Sequence, residues 1–379
     1  MHHQQFSVRF GVLLVSYLEN SDKSYLRDLN TQSDVLNTLG KVAKDVVMKQ
    51  KGVSISRHEI MVQALTSSKF PTAFQLPLNP QWVVSRLVVE KCKVMNSKKK
   101  PLWLTFDSVD CDQGGGLPKV VIFKNGDDLR QDQMTLQLLR VMSQMWISEG
   151  EDMKMSPYLC ITTGDEVGMI EIVTNSVTIA NIQKAHGRIG ALRSATLQSW
   201  LIDHAAGKDM NEIRENFKRS CAGYCVATYV MGIGDRHSDN IMLCNDGRLF
   251  HIDFGHFLGH FKSKAGFKRE RSPFVFTKEM AFVLGGKGSP HYQEFVTLCC
   301  KCYNILRKNS NGLINLFRFM IPARIPELVS TKDIQYLCDK LVLDKTEEEA
   351  AASFRKEINI CLGDTYRRFD NLIHNTKTG

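Results

Sequence analysis

The sequence predicts an α+β fold in two lobes: a small lobe built on an antiparallel sheet, preceded by a few helices, and a larger, mostly helical lobe. Three observations carry this prediction. The strand-like runs PLWLTFD and KVVIFK are separated by a DQGGGLP turn, as in an antiparallel pair. Beyond GMIEIV the apolar residues recur mostly at helical spacing, most clearly from Met210 to Met231. That helical stretch is interrupted by a hairpin pattern, IMLC-NDG-RLFHID, with Asn245, Asp246 and Gly247 as its turn.

The elements follow in order. Residues 4–69 read as helices, first FSVRFGVLLVSYL and then SDVLNTLGKVAKDVVMKQ, whose Val35, Leu39, Val42 and Val46 form a stripe behind a Ser33/Asp34 cap. FPTAFQLPLNP (70–80), with its prolines, reads as an extended connector, and RLVVEKCKVM as a strand. A helix capped by Asp127 or Asp128 follows the KVVIFK strand, burying Leu138, Met142 and Met145, and GMIEIV (168–173) is a further strand. Two lobes imply a cleft, the usual place for a ligand.

Composition narrows the class. At 379 residues, 43% hydrophobic and 23% charged, the chain has ordinary globular make-up. No run reaches the roughly 18 apolar residues of a membrane span, and MHHQQFSVRFGVLL lacks the basic region and cleavage site of a secretory signal. A cytoplasmic chain is expected. The 11 cysteines are scattered through apolar segments and read as reduced core thiols. Cys299, Cys300 and Cys302 lack a second ligand pair at metal-site spacing and read as a buried helix face. Nearly half of the net charge of +9 lies just after Gly259, where Lys262, Lys264, Lys268, Arg269 and Arg271 face a single Glu270. A run with so few aromatic residues is no stacking platform, which argues against nucleic acid.

The densest chemistry lies in IGDRHSDNIMLCNDGRLFHIDFGHFLG (233–259). Asp235 and Asn240 stand five positions apart and Asp253 opens a DFG tripeptide, the spacing by which protein kinases set a catalytic Asp, a metal-binding Asn and a second metal-binding Asp. Here the first triplet is DRH rather than HRD. Asn240 and Asp253 are hard oxygen ligands suited to Mg2+. Lys124 ends a strand from which an ammonium can reach phosphates, with Asp132 on the next helix as a carboxylate partner. His237 and His256 follow the two acidic motifs, and an imidazole there can exchange protons in a reaction, whereas His251 reads as structural. A protein-kinase-like two-lobed fold is therefore expected.

The chain resembles the catalytic region of a class I phosphoinositide 3-kinase, in VEKCKVMNSKKKPLWL, IFKNGDDLRQD, SCAGYCVATYVMGIGDRHSDNIM, LFHIDFGHFLG, KRERSPFVFT and KDIQYL. KTEEEA and GIGDRHSDNIM look nearest to the beta and delta isoforms. The resemblance implies an ATP- and Mg2+-dependent lipid kinase that phosphorylates the 3-hydroxyl of phosphatidylinositol 4,5-bisphosphate at the plasma membrane, to which the chain is recruited peripherally. It makes residues 1–20 the end of a helical domain and 21–379 the catalytic domain, with lobes of about 21–173 and 174–379. It maps Ser97 and Lys99 onto a phosphate loop, Lys124 onto the family's affinity-labelled lysine, and Asp127, Asp132 and Tyr158 onto the inner pocket. Glu171 and Val173 become backbone contacts to adenine, with Trp103 and Met242 on its faces. Asp235, His237 and His256 become catalytic, and Asn240 and Asp253 metal ligands. Either Asp235 or His237 is the base, with His237 favoured because imidazole is the commonest general base and Asp235 orienting it. Lys262, Lys264, Lys268, Arg269 and Arg271 would hold the headgroup phosphates.

The sequence also departs from the family. Gln133 and Ala265 stand where apolar or aromatic residues are general, and Ser272 replaces a valine. The tail LGDTYRRFDNLIHNTKTG lacks tryptophan, leaving Tyr366, Phe369 and Leu372 to touch a membrane. The resemblance begins at the end of the helical domain, so contacts with a regulatory subunit are expected through the kinase domain only. A related serine/threonine protein kinase would share the DRH–N–DFG pattern without the KRER loop. A non-catalytic decoy would not need every reacting group.

Overall fold

Three helices open the chain, α1 (His2–Ser21), α2 (Lys23–Met48) and α3 (Arg57–Ser67). The computed structural model describes residues 2–48, 55–109, 116–187, 190, 193–260, 263–264, 267–268 and 272–363, with the backbone alone for 2–8, 263–264 and 267–268. The chain divides into two compact units, Met1–Gln133 with Tyr158–Ile172, and Met134–Pro157 with Val173–Gly379.

The first unit is built on strands β1 (Phe74–Leu76), β2 (Asn79–Leu87), β3 (Lys93–Val94), β4 (Leu102–Ser108) and β5 (Lys119–Asn125). Helix α4 (Arg130–Ser148) then begins, and β6 (Cys160–Gly164) and β7 (Val167–Glu171) complete the sheet. The order is β1-β2-β4-β5-β7-β6, with β3 also paired to β4, and each pairing is antiparallel. Leu102, Leu104 and Phe106 alternate along β4 and are fully buried with Val121 and Phe123 of β5. Against them pack Val35, Leu39, Val42 and Val46 of α2 and Ile60, Met61 and Leu65 of α3. The α2 stripe is thus the one expected.

Three sequence expectations need correction here. Helix α2 starts at Lys23 rather than behind Ser33/Asp34. Its start is held by Asp22, whose carboxylate accepts the Ser24 and Tyr25 N–H groups at 3.1 and 3.0 Å. The FPTAFQLPLNP segment is no mere connector, because it forms β1 and the start of β2. Pro80 is tolerated there since β2 pairs with β4 only from Val84 to Leu87, so its missing N–H removes no bond from that ladder. RLVVEKCKVM is broken by a 3-10 turn at Val89–Lys91, leaving only its ends in strands. Short apolar runs do not distinguish a strand from a buried turn.

The second unit contains β8 (Ser176–Thr178), α5 (Ile179–Ala185), α6 (Thr196–His204), α7 (Met210–Met231), β9 (Ile241–Cys244) and β10 (Leu249–His251). Then follow β11 (Ser263–Lys264), β12 (Phe267–Lys268), α8 (Lys278–Val283), α9 (Pro290–Lys308), α10 (Ser310–Met320), α11 (Gln335–Leu341) and α12 (Glu347–Gly363). Helix α7 has the bounds read from sequence. Asp209 caps its first turn by accepting the Asn211 N–H at 2.9 Å, and Gly232 ends it in the left-handed region. From Ser220 to Met231 every residue is buried, so the helix is the spine of the unit rather than an amphipathic surface element. Helix α9 packs on both α7 and α12. Phe354 of α12 stacks on Phe274 and Tyr303 at centroid distances of 5.4 and 5.0 Å.

The β9–β10 hairpin forms as expected, pairing Ile241 with His251, and it lies on α7. His251 is buried and stacks on Tyr224 at 5.2 Å, in keeping with a structural role. Cys299, Cys300 and Cys302 lie on the buried face of α9, and burial pushes the Cys299 thiol well above its ordinary pKa. Among the described residues no helix is long and apolar enough to cross a membrane. The fold is α+β, with the sheet in the first unit and a mostly helical second unit.

Candidate active site

Two segments of the second unit hold candidate catalytic and metal-binding residues, and backbone geometry explains why they stay together. The first leaves α7 at Gly232 and runs through Asp235, His237 and a 3-10 turn, Ser238–Asn240, into β9. The second leaves β10 and runs through Asp253 and His256 to Gly259. Bonds stitch them: Gly234 N–H to His256 C=O at 2.9 Å, Leu258 to Met231 at 2.7 Å, Gly259 to Gly232 at 3.2 Å, and Ile252 to Asn240 at 3.0 Å. Gly232 and Gly259 both have positive φ and both pass under the Tyr336 ring, where an added Cβ would come within 2.4 Å of it. Tyr336 belongs to the KDIQYL stretch, so that motif seals the stitch.

Arg236 completes the join. Its guanidinium is buried, donates to the carbonyls of Gly234 at 2.8 Å and Ile252 at 2.6 Å, and reaches the Asp253 carbonyl with its remaining nitrogen. It also lies 5.6 Å from the Phe254 ring centroid. Asp235 and Asp253 sit at φ 56° and 61°, left-handed values unusual for residues with a side chain. Such strain persists only where surroundings fix it, and clusters at functional sites.

Asn240 is buried, and its amide nitrogen donates to the Asp235 carbonyl at 3.0 Å and lies 3.1 Å from His237 Nε2. The carbonyl acceptor fixes which way the amide points. His237 Nε2 therefore receives this bond on its lone pair, and Asn240 Oδ1 is the amide atom left to address a cation. Asp253 is exposed. Among the described residues no three His, Cys, Asp or Glu side chains converge to hold a metal by themselves. A hard cation of the Mg2+ type needs no such cage, since it keeps water and takes phosphate oxygens beside one or two protein oxygens. The Asn240 and Asp253 oxygens fit that requirement.

His256 points Nδ1 at Glu327 Oε1, 2.7 Å away, and the other oxygen of Glu327 accepts the Phe257 N–H at 2.7 Å. Met242, on β9, is partly exposed, as is Val173, whose carbonyl accepts the Ser176 hydroxyl at 2.7 Å.

In the first unit Lys124 lies near the end of β5, opposite Gly168 of β7, with its ammonium 3.4 Å from the Asp127 carboxylate. The 96–100 loop is closed by Lys100 N–H to Ser97 C=O at 3.2 Å and by Met95 N–H to Pro101 C=O at 2.9 Å. It turns Lys99 onto the next bend of the chain, where a Cβ on Gly126 would lie 3.4 Å from the Lys99 ammonium. Lys99 and Lys124 are thus brought to the same β5–α4 turn. Asp128 accepts the Arg130 N–H at 3.0 Å at the start of α4, so of the two expected caps it serves. Asp132 lies in the first turn of that helix. Gln133 donates nothing to the apolar role its family position suggests: its Oε1 accepts the Thr162 N–H at 2.9 Å and ties α4 to β6. Trp103 on β4 carries the Lys93 ammonium over its ring at 4.3 Å. Tyr158 is buried, and Glu171 exchanges bonds with Leu159, accepting its N–H at 2.7 Å and donating to its carbonyl at 2.8 Å.

Of the basic loop, Lys264 and Lys268 fall in the antiparallel β11–β12 pair, described in backbone only. Lys262, Arg269 and Arg271 lie outside the described residues, as do Ala265, Tyr366, Phe369 and Leu372. Sequence reasoning missed Arg236 and Glu327. Arg236 carried a signal, an arginine in a segment flanked by apolar runs. Glu327 carried none, because its partner is 71 positions away.

An α+β chain whose strand-end lysine, catalytic-loop Asp, Asn and DFG Asp occur in this order is of the two-lobed kinase-like class. The chain belongs to the phosphatidylinositol 3- and 4-kinase family, which it matches over residues 119–330. It is 48% identical over 376 residues to phosphatidylinositol 3-kinase 2 of Dictyostelium discoideum, covering 99% of this chain and 20% of that protein. Phosphatidylinositol 3-kinase 1 of the same organism is 45% identical, with 99% of this chain and 24% of that protein covered. Phosphatidylinositol 3-kinase 3 is 42% identical, with 98% and 22% covered. The chain therefore spans about a fifth to a quarter of these relatives' length.

Proposed function

We propose that the chain is the catalytic region of an ATP-dependent phosphoinositide 3-kinase of class I type, transferring the γ-phosphoryl group of ATP to the 3-hydroxyl of phosphatidylinositol 4,5-bisphosphate. In this reading residues 21–379 form the catalytic domain and 1–20 the end of a helical domain, at work on the cytoplasmic face of the plasma membrane. The observation that carries it is the joined pair of segments in which His237, Asn240 and His256 are fixed by backbone bonds, Asp235 by the Asn240 amide and Asp253 by the Arg236 guanidinium.

Each group then has a task. Lys99 and Lys124 cradle the ATP phosphates, with Ser97 on the same loop, while Asp127 and Asp132 orient Lys124. Trp103, Glu171, Val173 and Met242 would hold the base, and Tyr158 would line the inner pocket with Asp127 and Asp132. Asn240 and Asp253 would hold Mg2+, which when bound would supply positive charge to offset that on the transferring phosphates. His237 Nε2, which carries a lone pair, takes the proton of the inositol 3-hydroxyl as that oxygen attacks the γ-phosphorus. The bond from that phosphorus to its bridging oxygen breaks and ADP leaves. Asn240 releases Nε2 for this step and turns wholly to the Asp235 carbonyl. His256 addresses the transferring phosphoryl group.

The test offers the purified chain Mg-ATP with phosphoinositide vesicles and, in parallel, a generic protein substrate. Radiolabel is expected in the lipid and absent from the protein. Asp253→Asn should lower lipid turnover by at least about a hundredfold with an unchanged melting curve, because a formal charge is lost at the cation. Turnover within a few-fold of wild type at saturating Mg-ATP would refute the metal assignment.

A further inference from the structure

Glu327 comes from a segment far from the motifs, yet it makes two direct bonds to the DFG segment. The turn that presents it is pinned by Ile325 and Leu328, both buried, which form a bridge and close with Leu328 N–H to Ile325 C=O at 3.0 Å. Arg324 and Glu327 both adopt left-handed backbone, at φ 48° and 64°. A glutamate in that conformation is uncommon, and the surrounding packing has to hold it there. Its two oxygens are divided, Oε1 to His256 Nδ1 and Oε2 to the Phe257 N–H, each at 2.7 Å. Both carboxylate oxygens are thus committed to one short stretch of chain.

We infer that Glu327 is the positioning residue of His256: it holds the ring by an Nδ1–H bond, so that Nε2 is the nitrogen presented to the transferring phosphoryl group. This rests on the proposed role of His256. The chemistry is that of a carboxylate–histidine pair. A carboxylate only accepts, so the nitrogen facing it must carry the proton whether the imidazole is neutral or charged. Fixing one nitrogen fixes the tautomer and the ring plane, and the opposite nitrogen is left for the reaction. The second bond, to Phe257, stops the carboxylate from following the histidine if its ring swings. Rotamer freedom is thereby removed from both partners before substrate arrives.

Glu327→Gln isolates this role because it keeps the shape. The amide oxygen can still accept from Phe257 N–H, which turns the amide nitrogen toward His256 Nδ1. That nitrogen must then accept, and the proton of the neutral ring moves to Nε2. Nitrogen-15 NMR of the histidine-labelled full chain, at a pH where His256 is neutral, is expected to show the Nδ1–H form in wild type and the Nε2–H form in E327Q. Lipid kinase assays should show kcat lowered about ten- to a hundredfold, the range known for carboxylates that orient metal-binding histidines, with KM for ATP little changed. In a His256→Asn background the same substitution should have no further effect on kcat.

An unchanged tautomer in E327Q, or an equal loss of kcat with and without His256, would overturn the inference. A KM effect without a kcat effect would do so too. Glu327→Asp, which retains the charge but shortens the reach, serves as the check on folding: its melting curve should match wild type, with an intermediate kcat. If His256→Asn alone has wild-type kcat, the role given to His256 fails even where NMR shows the pair, and the two failures are told apart.

Discussion

Arg236 shows how one side chain can order a site it does not enter. Three backbone carbonyls converge on its guanidinium, those of Ile252 and Asp253 from the DFG segment and that of Gly234 from its own loop. A planar fork of five donors serves such a constellation, whereas a lysine presents one compact ammonium. Arg236→Lys is therefore expected to lower kcat at least about tenfold and to lower the melting temperature, since charge-assisted bonds worth about 1.5–3 kcal/mol each are lost or bent. Steady-state kinetics and a thermal melt on the same sample check this. Wild-type kcat would mean that Asp253 is held by other means. A Lys124→Arg substitution uses the same asymmetry in reverse, the planar group being unable to replace a compact ammonium 3.4 Å from Asp127, and catalytic efficiency should fall.

At the scale of elements, what was legible in the sequence is what local chemistry decides. The apolar spacing gave the Met210–Met231 extent of α7, and Asn245, Asp246 and Gly247 marked the hairpin turn, because periodicity and turns are set by the residues that form them. The order Asp235, Asn240, Asp253 was legible for the same reason. The start of α2 was misplaced because Ser33 and Asp34 look like a cap, while Asp22 makes the actual cap bonds. Glu327 was invisible because only the fold brings it to His256.

Charge between elements is likewise decided by the fold, and it gives a pH dependence. Glu151 accepts Lys301 at 2.6 Å and Arg219 at 3.0 Å, joining the chain after α4 to α9 and α7. Its carboxyl lies below its ordinary pKa of 4.5, first through the Lys301 bond and then, against the cost of burial, through Arg219. Glu294 is lowered by its bond to Lys218. For a carboxyl whose folded pKa is depressed, the stabilisation is complete above the unfolded value and disappears as pH falls through the folded one. The stabilisation these two carboxylates contribute should thus be constant from pH 7 down to about 5.5 and should decline below about 4.5, the ordinary glutamate value. Glu151→Gln should make that decline shallower. A parallel decline in the variant would locate the acid sensitivity elsewhere.

For the whole molecule, the proposed lipid kinase activity leaves open which headgroup would be the substrate, and the residues that bear on it cluster after the DFG segment. Lys262, Lys264, Lys268, Arg269 and Arg271 stand within 18 positions of Asp253 with only Glu270 to oppose them. A headgroup held by such residues would be kept close along the chain to the proposed cation ligand. Each basic residue near an anionic membrane surface contributes about 1 kcal/mol whatever the lipid, whereas pairing with a particular phosphate adds directed, charge-assisted bonds. The two contributions separate experimentally. Neutralising Lys268, Arg269 and Arg271 together should suppress phosphorylation of phosphatidylinositol 4,5-bisphosphate at least about tenfold, the weight of one lost charge-assisted bond, and spare much of the activity on phosphatidylinositol and the intrinsic ATP hydrolysis. Vesicles of matched net charge cancel the general attraction in this comparison. Equal loss on both lipids would mean that the loop holds the protein to the surface without reading the headgroup, and the choice of the bisphosphate as substrate would lose its physical basis.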